Sequence, residues 1–253
     1  MSASEADPGL WVTGLVDVSD YGASVAEHAA WLAEHIGARL RLRHVREPGE
    51  AVEAGQRLLS ELSSRLADQG LPPPQQSLVE GEVLDAAVAT DANLLVMGKR
   101  GAGGQQDRTV LGHHVDSVVR AVRVPVCLTA QVFLPIHRVV AVTDANPTRR
   151  AALDLVAAHA TRAGLELDVI VAAGVGEPPD DKLTLARSLL DGQAAAFAIH
   201  AERLGEAVWR YLRARPADLI VISREVLFAD SRTSLRELSP ESLWTARASV
   251  LVC

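Results

Sequence analysis

The chain carries one pattern twice. Laid over itself without a gap, the stretch beginning at Val12 matches the stretch beginning at Val139. Asp17 falls on Asp144 and Gly37 on Gly164, both 127 residues apart. Further on, Ala92-Asn93-Leu94-Leu95-Val96-Met97 falls on Ala217-Asp218-Leu219-Ile220-Val221-Ile222, 125 apart, and Pro125-Val126 falls on Ser249-Val250, 124 apart. The order is kept while the offset drifts, as in a duplicated domain whose loops have changed length. Two copies this long make a tandem pair, not a solenoid built from repeats of ~20–50 residues. The 253 residues divide into domains over 1–133 and 134–253, each long enough for its own core. The boundary falls near Phe133-Leu134-Pro135-Ile136, and so short a linker predicts that the two domains pack together.

The formal charge is -7, and no basic run studded with aromatics is present. That composition argues against a nucleic-acid surface. Charges interrupt every apolar run well short of the ~20 residues that span a bilayer. Residues 1–9 are small and polar, without the charged-then-apolar order of a signal peptide. A cytoplasmic protein is expected. Cys127 and Cys253 end apolar runs and form no CxxC pair. They read as small buried hydrophobes, with a disulfide between the repeats as the alternative.

Residues 10–18 read as a buried strand leading into a capping segment, Asp17-Val18-Ser19-Asp20. Val25, Ala29, Leu32 and Ile36 then recur at helical spacing, and Gly37 sits where a left-handed helix end favours glycine. Residues 39–45 alternate, with Arg39, Arg41 and Arg43 on one side, which predicts a strand with one wet face, away from the sheet centre. A helix over 51–69, a strand over 77–80 and a short helix over 82–90 follow. Glu80 and Glu82 flank Gly81 and read as helix-capping acids. Residues 93–98 form a continuous apolar strand, as when helices cover both faces. A glycine-rich loop over 101–111, a helix over 112–122 and a strand over 124–130 close the repeat. This alternation predicts an α/β fold, with a parallel five-stranded sheet and right-handed crossovers in each copy. In the second copy the third strand is expected near 196–200.

The chemically suggestive stretch is Gly98-Lys99-Arg100-Gly101-Ala102-Gly103-Gly104, with Gly112-His113-His114 opening the next helix. Ligands of such sheets sit beyond the carboxyl ends of the strands. Glycines there let backbone N–H groups approach an anion, a helix N-terminus favours negative charge, and Lys99 and Arg100 add cations. The stretch is neither a Walker A loop nor a dinucleotide fingerprint. By itself it also reads as an ordinary surface loop.

Taken together, Asp17-x-Ser19, the strand ending His44-Val45, Val79-Glu80-Gly81-Glu82, Ala92-x-Leu94-Leu95-Val96-Met97-Gly98-x-x-Gly101 and the closing Pro125-Val126 resemble the universal stress protein family. The resemblance covers nearly all of the first copy and, more faintly, the second. It implies two tandem five-stranded parallel-sheet domains of the adenine-nucleotide α-hydrolase-like kind. It also implies binding of an adenine nucleotide, ATP with or without Mg²⁺, in the first copy. The positions matching the family's nucleotide contacts are Asp17, Val45, Met97, Gly98, Gly101, Gly112 and His113. Two of these depart from the family pattern G-x2-G-x9-G-[S/T]. Ten residues separate Gly101 from Gly112, one more than the pattern, and His113 stands where a hydroxyl is expected. Single-domain relatives pair through the last strand. The resemblance thus suggests an intramolecular pseudo-dimer of the two copies, and a homodimer of the whole chain.

In the second copy Ser223, Val226 and Glu237 replace Gly98, Gly101 and Gly112, and Glu225 adds a carboxylate. Side chains block the close approach there, and no triphosphate binding is expected. Ser239-Pro240-Glu241 reads as the cap of its last helix. His113 and His114 point about 100° apart on a helix and make a poor metal pair. His44, His137 and His200 are scattered and read as structural. Trp209 and Tyr211 read as packing residues. No nucleophile motif and no HxGH-type motif of nucleotidyl transferases is present. The expected function is that of a stress-response regulatory protein that binds an adenine nucleotide, at most a slow ATPase. The alternative is a nucleotide-free scaffold in which both sites are degenerate.

Overall fold

The computed structural model describes residues 7–101, 111, 112, 114–144, 146, 159, 160, 163–172, 179–190, 196–200, 204–228 and 247–253. The chain divides into two compact units, Met1–Phe133 and Leu134–Cys253.

The first unit runs β1 (Asp7–Val16), α1 (Gly22–Ile36), β2 (Ala38–Arg46), α2 (Val52–Asp68), β3 (Gln75–Glu80), α3 (Val83–Val88), β4 (Leu94–Gly98), α4 (Val115–Ala121) and β5 (Val126–Thr129). Its strands lie in the order β3-β2-β1-β4-β5, and all four neighbouring pairs are parallel. The sequence leaves β1 and then steps outward on one side to β2 and β3. It then returns past β1 to β4 and β5. The sheet order therefore reverses between β1 and β4, the place where open α/β sheets bind ligands.

The second unit repeats this order with β6 (Arg138–Thr143), β7 (Glu166–Ala172), α5 (Pro179–Leu189), β8 (Ala196–His200), α6 (Leu204–Ala214), β9 (Leu219–Ile222), α7 (Arg224–Leu227) and β10 (Ser249–Val252). Its strands lie β10-β9-β6-β7-β8, again parallel, with the reversal between β6 and β9. The cap at 239–241 lies outside the described residues.

Burial of apolar side chains between strands and helices drives each unit. Leu42, Leu59, Leu66, Leu95 and Leu128 in the first unit, and Ile170, Ile220 and Ile222 in the second, are fully buried. Each such side chain contributes about 1.5–3 kcal/mol relative to exposure. Helix α1 lies close on β1 because Gly14 has no side chain. A methyl there would stand 3.2 Å from the Ala29 Cβ and 3.1 Å from a Leu42 methyl. The helix ends at Gly37, in left-handed conformation at φ 67°, and its N–H returns to the carbonyls of the last turn. Gly164 holds φ 66° at the matching point of the second copy. Both cysteines are free thiols, so the disulfide alternative does not apply.

Two expectations fail. The arginine face of β2 is only partly wet: Arg39 is exposed, but Arg41 is only 8% exposed. Its guanidinium stacks 4.4 Å from the centre of the Trp11 ring, pairs with Asp91 and donates to Gln75 at 2.9 Å. A cation flanked by a carboxylate, an amide and an aromatic face tolerates burial. Glu80 does not cap α3 but pairs with Arg46, and Glu82 at the N-cap makes no side-chain bond to the helix.

Gly37→Ala should cost about 1–2 kcal/mol, because a β-carbon is strained in the left-handed region. A fall in the urea midpoint at unchanged slope would show it.

Candidate functional site

The carboxyl ends of β1 and β4 flank the reversal, and the turns that leave them meet. After β1, Asp17 accepts hydrogen bonds at Oδ1 from both the backbone N–H and the hydroxyl of Ser19, the former at 3.0 Å. Ser19 Oγ accepts the Tyr21 N–H at 3.2 Å, and the Gly22 N–H donates to the Ser19 carbonyl at 3.0 Å. The turn is so tight that any side chain at Gly22 would collide with the Asp17 carbonyl. It delivers Tyr21 to the start of α1, buried at 7% exposure.

Tyr21 meets the end of β4. A methyl on Gly98 would stand 2.8 Å from Tyr21 Cβ and 3.0 Å from Cγ. The Tyr21 hydroxyl accepts a hydrogen bond from Arg100 Nη1 at 2.8 Å. Gly101 faces the other side of the turn, where a methyl would stand 3.1 Å from Asp17 Oδ2. Gly112 packs on the same segment. Its N–H donates to the Lys99 carbonyl at 2.8 Å, and a methyl there would stand 3.2 Å from Arg100 Cα.

Six of the seven residues singled out in the sequence are described, and they stand at the carboxyl ends of adjacent strands or just beyond. Asp17 and Gly101 face each other, and Gly112 packs against Lys99–Gly101. Val45 and Met97 are buried, near the ends of β2 and β4. His113 lies outside the described residues. Tyr21 was missed. A large aromatic directly before Gly22 in a short turn was the available signal.

Lys99 is also corrected. It does not present its charge to a ligand but turns into the protein, 1% exposed. Burial, with Arg100 nearby, lowers its pKa to about 7. His28 of α1 shares this interior. Its Nδ1 donates to the Ser24 carbonyl at 2.7 Å, and its ring meets Phe133 edge-on at 4.8 Å. Burial lowers its pKa to about 4, against smaller opposing effects of the Ser24 carbonyl and Glu27. On the β2 side, the buried His44 places Nδ1 2.9 Å from the Val16 carbonyl and Nε2 2.9 Å from Glu50. That hydrogen bond holds the Glu50 carboxyl below its usual range and ties down the segment that leaves β2.

The second unit keeps the first half of this arrangement and replaces the rest. Asp144 Oδ1 accepts the Asn146 N–H at 3.0 Å, repeating the Asp17 turn, and Lys182 Nζ donates to the Asp144 carbonyl at 3.1 Å. Across the reversal, Ser223 caps the one-turn helix α7, its Oγ accepting the Val226 N–H at 3.2 Å. Val226 is buried. Backbone that is loop in the first unit is thus closed into helix. Glu237 lies outside the described residues. Among the described residues, no cluster of metal-ligating side chains is present, and no helix is long and apolar enough to cross a membrane.

These features define an α/β protein with a parallel-sheet reversal in each unit. No family model matches the chain. It is similar over 247 residues to the universal stress protein Slr1230 of Synechocystis, 22% identical, covering 81% of this chain and 86% of that one. A universal stress protein of Archaeoglobus fulgidus has a similar structure, with TM-score 0.74 at 16% identity, covering 96% and 95% of the two chains. A protein of unknown function from Pseudomonas aeruginosa, PA1789, matches at TM-score 0.69 and 14% identity, covering 97% and 92%. The fold is that of the universal stress protein family, and the sequence similarity along the chain supports the same family.

The burial of neutral His28 has a pH consequence. The unfolded chain takes up a proton near pH 6.5, whereas the folded chain resists until about pH 4. Stability contributed by this site is therefore present above pH 6.5 and lost as the pH falls toward 4, by up to about 3 kcal/mol. Urea unfolding at pH 7 and pH 5 should show a smaller loss in His28→Leu than in the parent. An equal loss in both would contradict this assignment.

Proposed function

We propose that the first unit binds an adenine nucleotide at the reversal between β1 and β4, and that the chain acts as a stress-response regulatory protein through that binding. The observation that carries this reading is the meeting of Asp17 and Gly101 across the reversal, with Arg100 beside them. An acceptor at the end of the first strand suits an adenosine, and a glycine segment with a guanidinium suits its phosphate. ATP, with Mg²⁺ as an optional companion, is the ligand that the family resemblance implies. The second unit has its corresponding segment wound into α7 and is assigned no nucleotide. Among the described residues no general base or nucleophile is placed at this site, and the reading is one of binding, with hydrolysis at most slow.

A second reading, a nucleotide-free scaffold, draws on one observation: the spaces at Gly98 and Gly112 are already filled by the chain itself. Calorimetric titration of the full chain with ATP, ADP and AMP, each with Mg²⁺, separates the two. About one nucleotide per chain is expected, weakened at least tenfold by Gly101→Glu and unchanged by Asp144→Ala. No binding by any of the three, with no nucleotide carried through purification, would favour the scaffold. Gly98→Ala is a poor probe, because it would press on the Arg100 carbonyl and on Tyr21 whatever the ligand.

A further inference from the structure

His44 stands where a neutral ring cannot satisfy both of its neighbours. Its Nδ1 lies 2.9 Å from the Val16 carbonyl and its Nε2 2.9 Å from Glu50 Oε1. A neutral imidazole carries only one donor. The ring's hydrogen bond holds the Glu50 carboxyl below its usual range, so Glu50 accepts as a carboxylate and does not donate. Two acceptors on one ring describe an imidazolium, which joins the end of β1 to the connection between β2 and α2. The His44 side chain is 5% exposed and that of Glu50 27%, so water reaches the pair from the Glu50 side.

The other elements around the ring bring it no second charge. From α2 it meets Gly55, where a methyl would stand 2.9 Å from Cδ2, while Glu53 and Arg57 are exposed. Its register partner on β3 is Leu78. Glu27 of α1 is engaged by Arg65 and Gln69. Beyond Val16, Asp17 accepts from Ser19. The Glu47 N–H donates to Glu50 Oε2 at 3.4 Å, and Arg46 donates to the Glu50 carbonyl and pairs with Glu80. Of the ties on Glu50, only that from the ring depends on a histidine proton.

We infer that His44 is a proton-dependent latch: as an imidazolium it ties the end of β1 to the β2–α2 connection, and the loss of its proton frees that connection. Without the proton, one of the two contacts sets a lone pair against an acceptor in a site shut off from most water, which costs too much to persist. Histidine is the side chain that ordinarily changes charge between pH 5 and 8. The tie needs an ionised Glu50 and a protonated ring. It is lost in acid as the lowered Glu50 carboxyl takes up a proton, and lost with rising pH as the ring gives up its own. Val45 and Asp17 directly follow the two tied residues, so the latch steadies the strand ends that carry the candidate site. The inference holds whatever ligand that site takes.

Hydrogen exchange on the full chain, followed by mass spectrometry and corrected for intrinsic rates, tests the latch at pH 6 and pH 8. Peptides over 46–55 should lose about tenfold in protection between the two, while β4 peptides change little. Glu50→Gln is the decisive variant. Its carboxamide donates to the bare Nε2 while Nδ1 keeps its proton, so the connection should be equally protected at both pH values. His44→Phe keeps the bulk of the ring without either bond and should leave the connection weakly protected at both. Circular dichroism melts show whether His44→Phe folds. If it does not, the parent and Glu50→Gln still decide. Equal protection of the parent at pH 6 and pH 8 would overturn the inference, and so would the same loss in Glu50→Gln as in the parent.

Discussion

The carboxyl end of the first sheet is governed by how closely α1 and its leading turn approach the strands. Three glycines permit that approach: Gly14 under the body of the helix, Gly22 at its start and Gly98 at the end of β4. A side chain at any of them would meet backbone or a packed side chain within about 3 Å, a separation that a close-packed interior accommodates only by shifting. Once α1 is seated, the position of Tyr21 is fixed. Arg100, Gly101 and Asp17 are arranged around it. The site is thus a by-product of helix packing and not an independent loop.

Much of this was legible in the sequence, and the failures share one cause. Strand β4 could be read because five successive apolar residues have no other use in an α/β chain, and Gly37 because a helix end needs its conformation. Arg41 was misread because its pattern is local and its partners are not: Asp91 lies 50 residues away, and Trp11 lies on the neighbouring strand. Glu80 was misread for the same reason, its partner Arg46 being a cross-strand neighbour. Lys99 looked like a phosphate ligand because sequence shows charge and not direction. The space beside Gly98 is shared by the Arg100 carbonyl and Tyr21, a residue no spacing rule connects to it.

The two copies serve as a comparison within one chain. The scaffold is common to both. The Asp17 and Asp144 turns share the same Asp-to-backbone bond, Gly37 and Gly164 share a conformation, and Asn93 and Asp218 accept the backbone N–H of Trp11 on β1 and of Arg138 on β6. What differs is the segment after the fourth strand of each copy, glycine loop in one and capped helix in the other. In the second copy the N–H groups of this segment are given to the chain itself, Arg224 to the Cys253 carbonyl and Val226 and Leu227 to Ser223, without disturbing the sheet.

One feature of that shared scaffold is inverted. Arg41 on β2 pairs with Asp91 just before β4, and at the matching place on β7 stands Asp168, 3.6 Å from Arg215 just before β9. The same near-buried strand position holds a cation in one copy and an anion in the other, each paired with a charge that stays at the surface. Sister domains joined in one chain are prone to exchanging like strands while they fold. Here an exchanged β7 would set Asp168 against Asp91, and an exchanged β2 would set Arg41 against Arg215. One buried charge would then face a like charge at the surface, and each half of the chain carries a polarity that disfavours the other's strand.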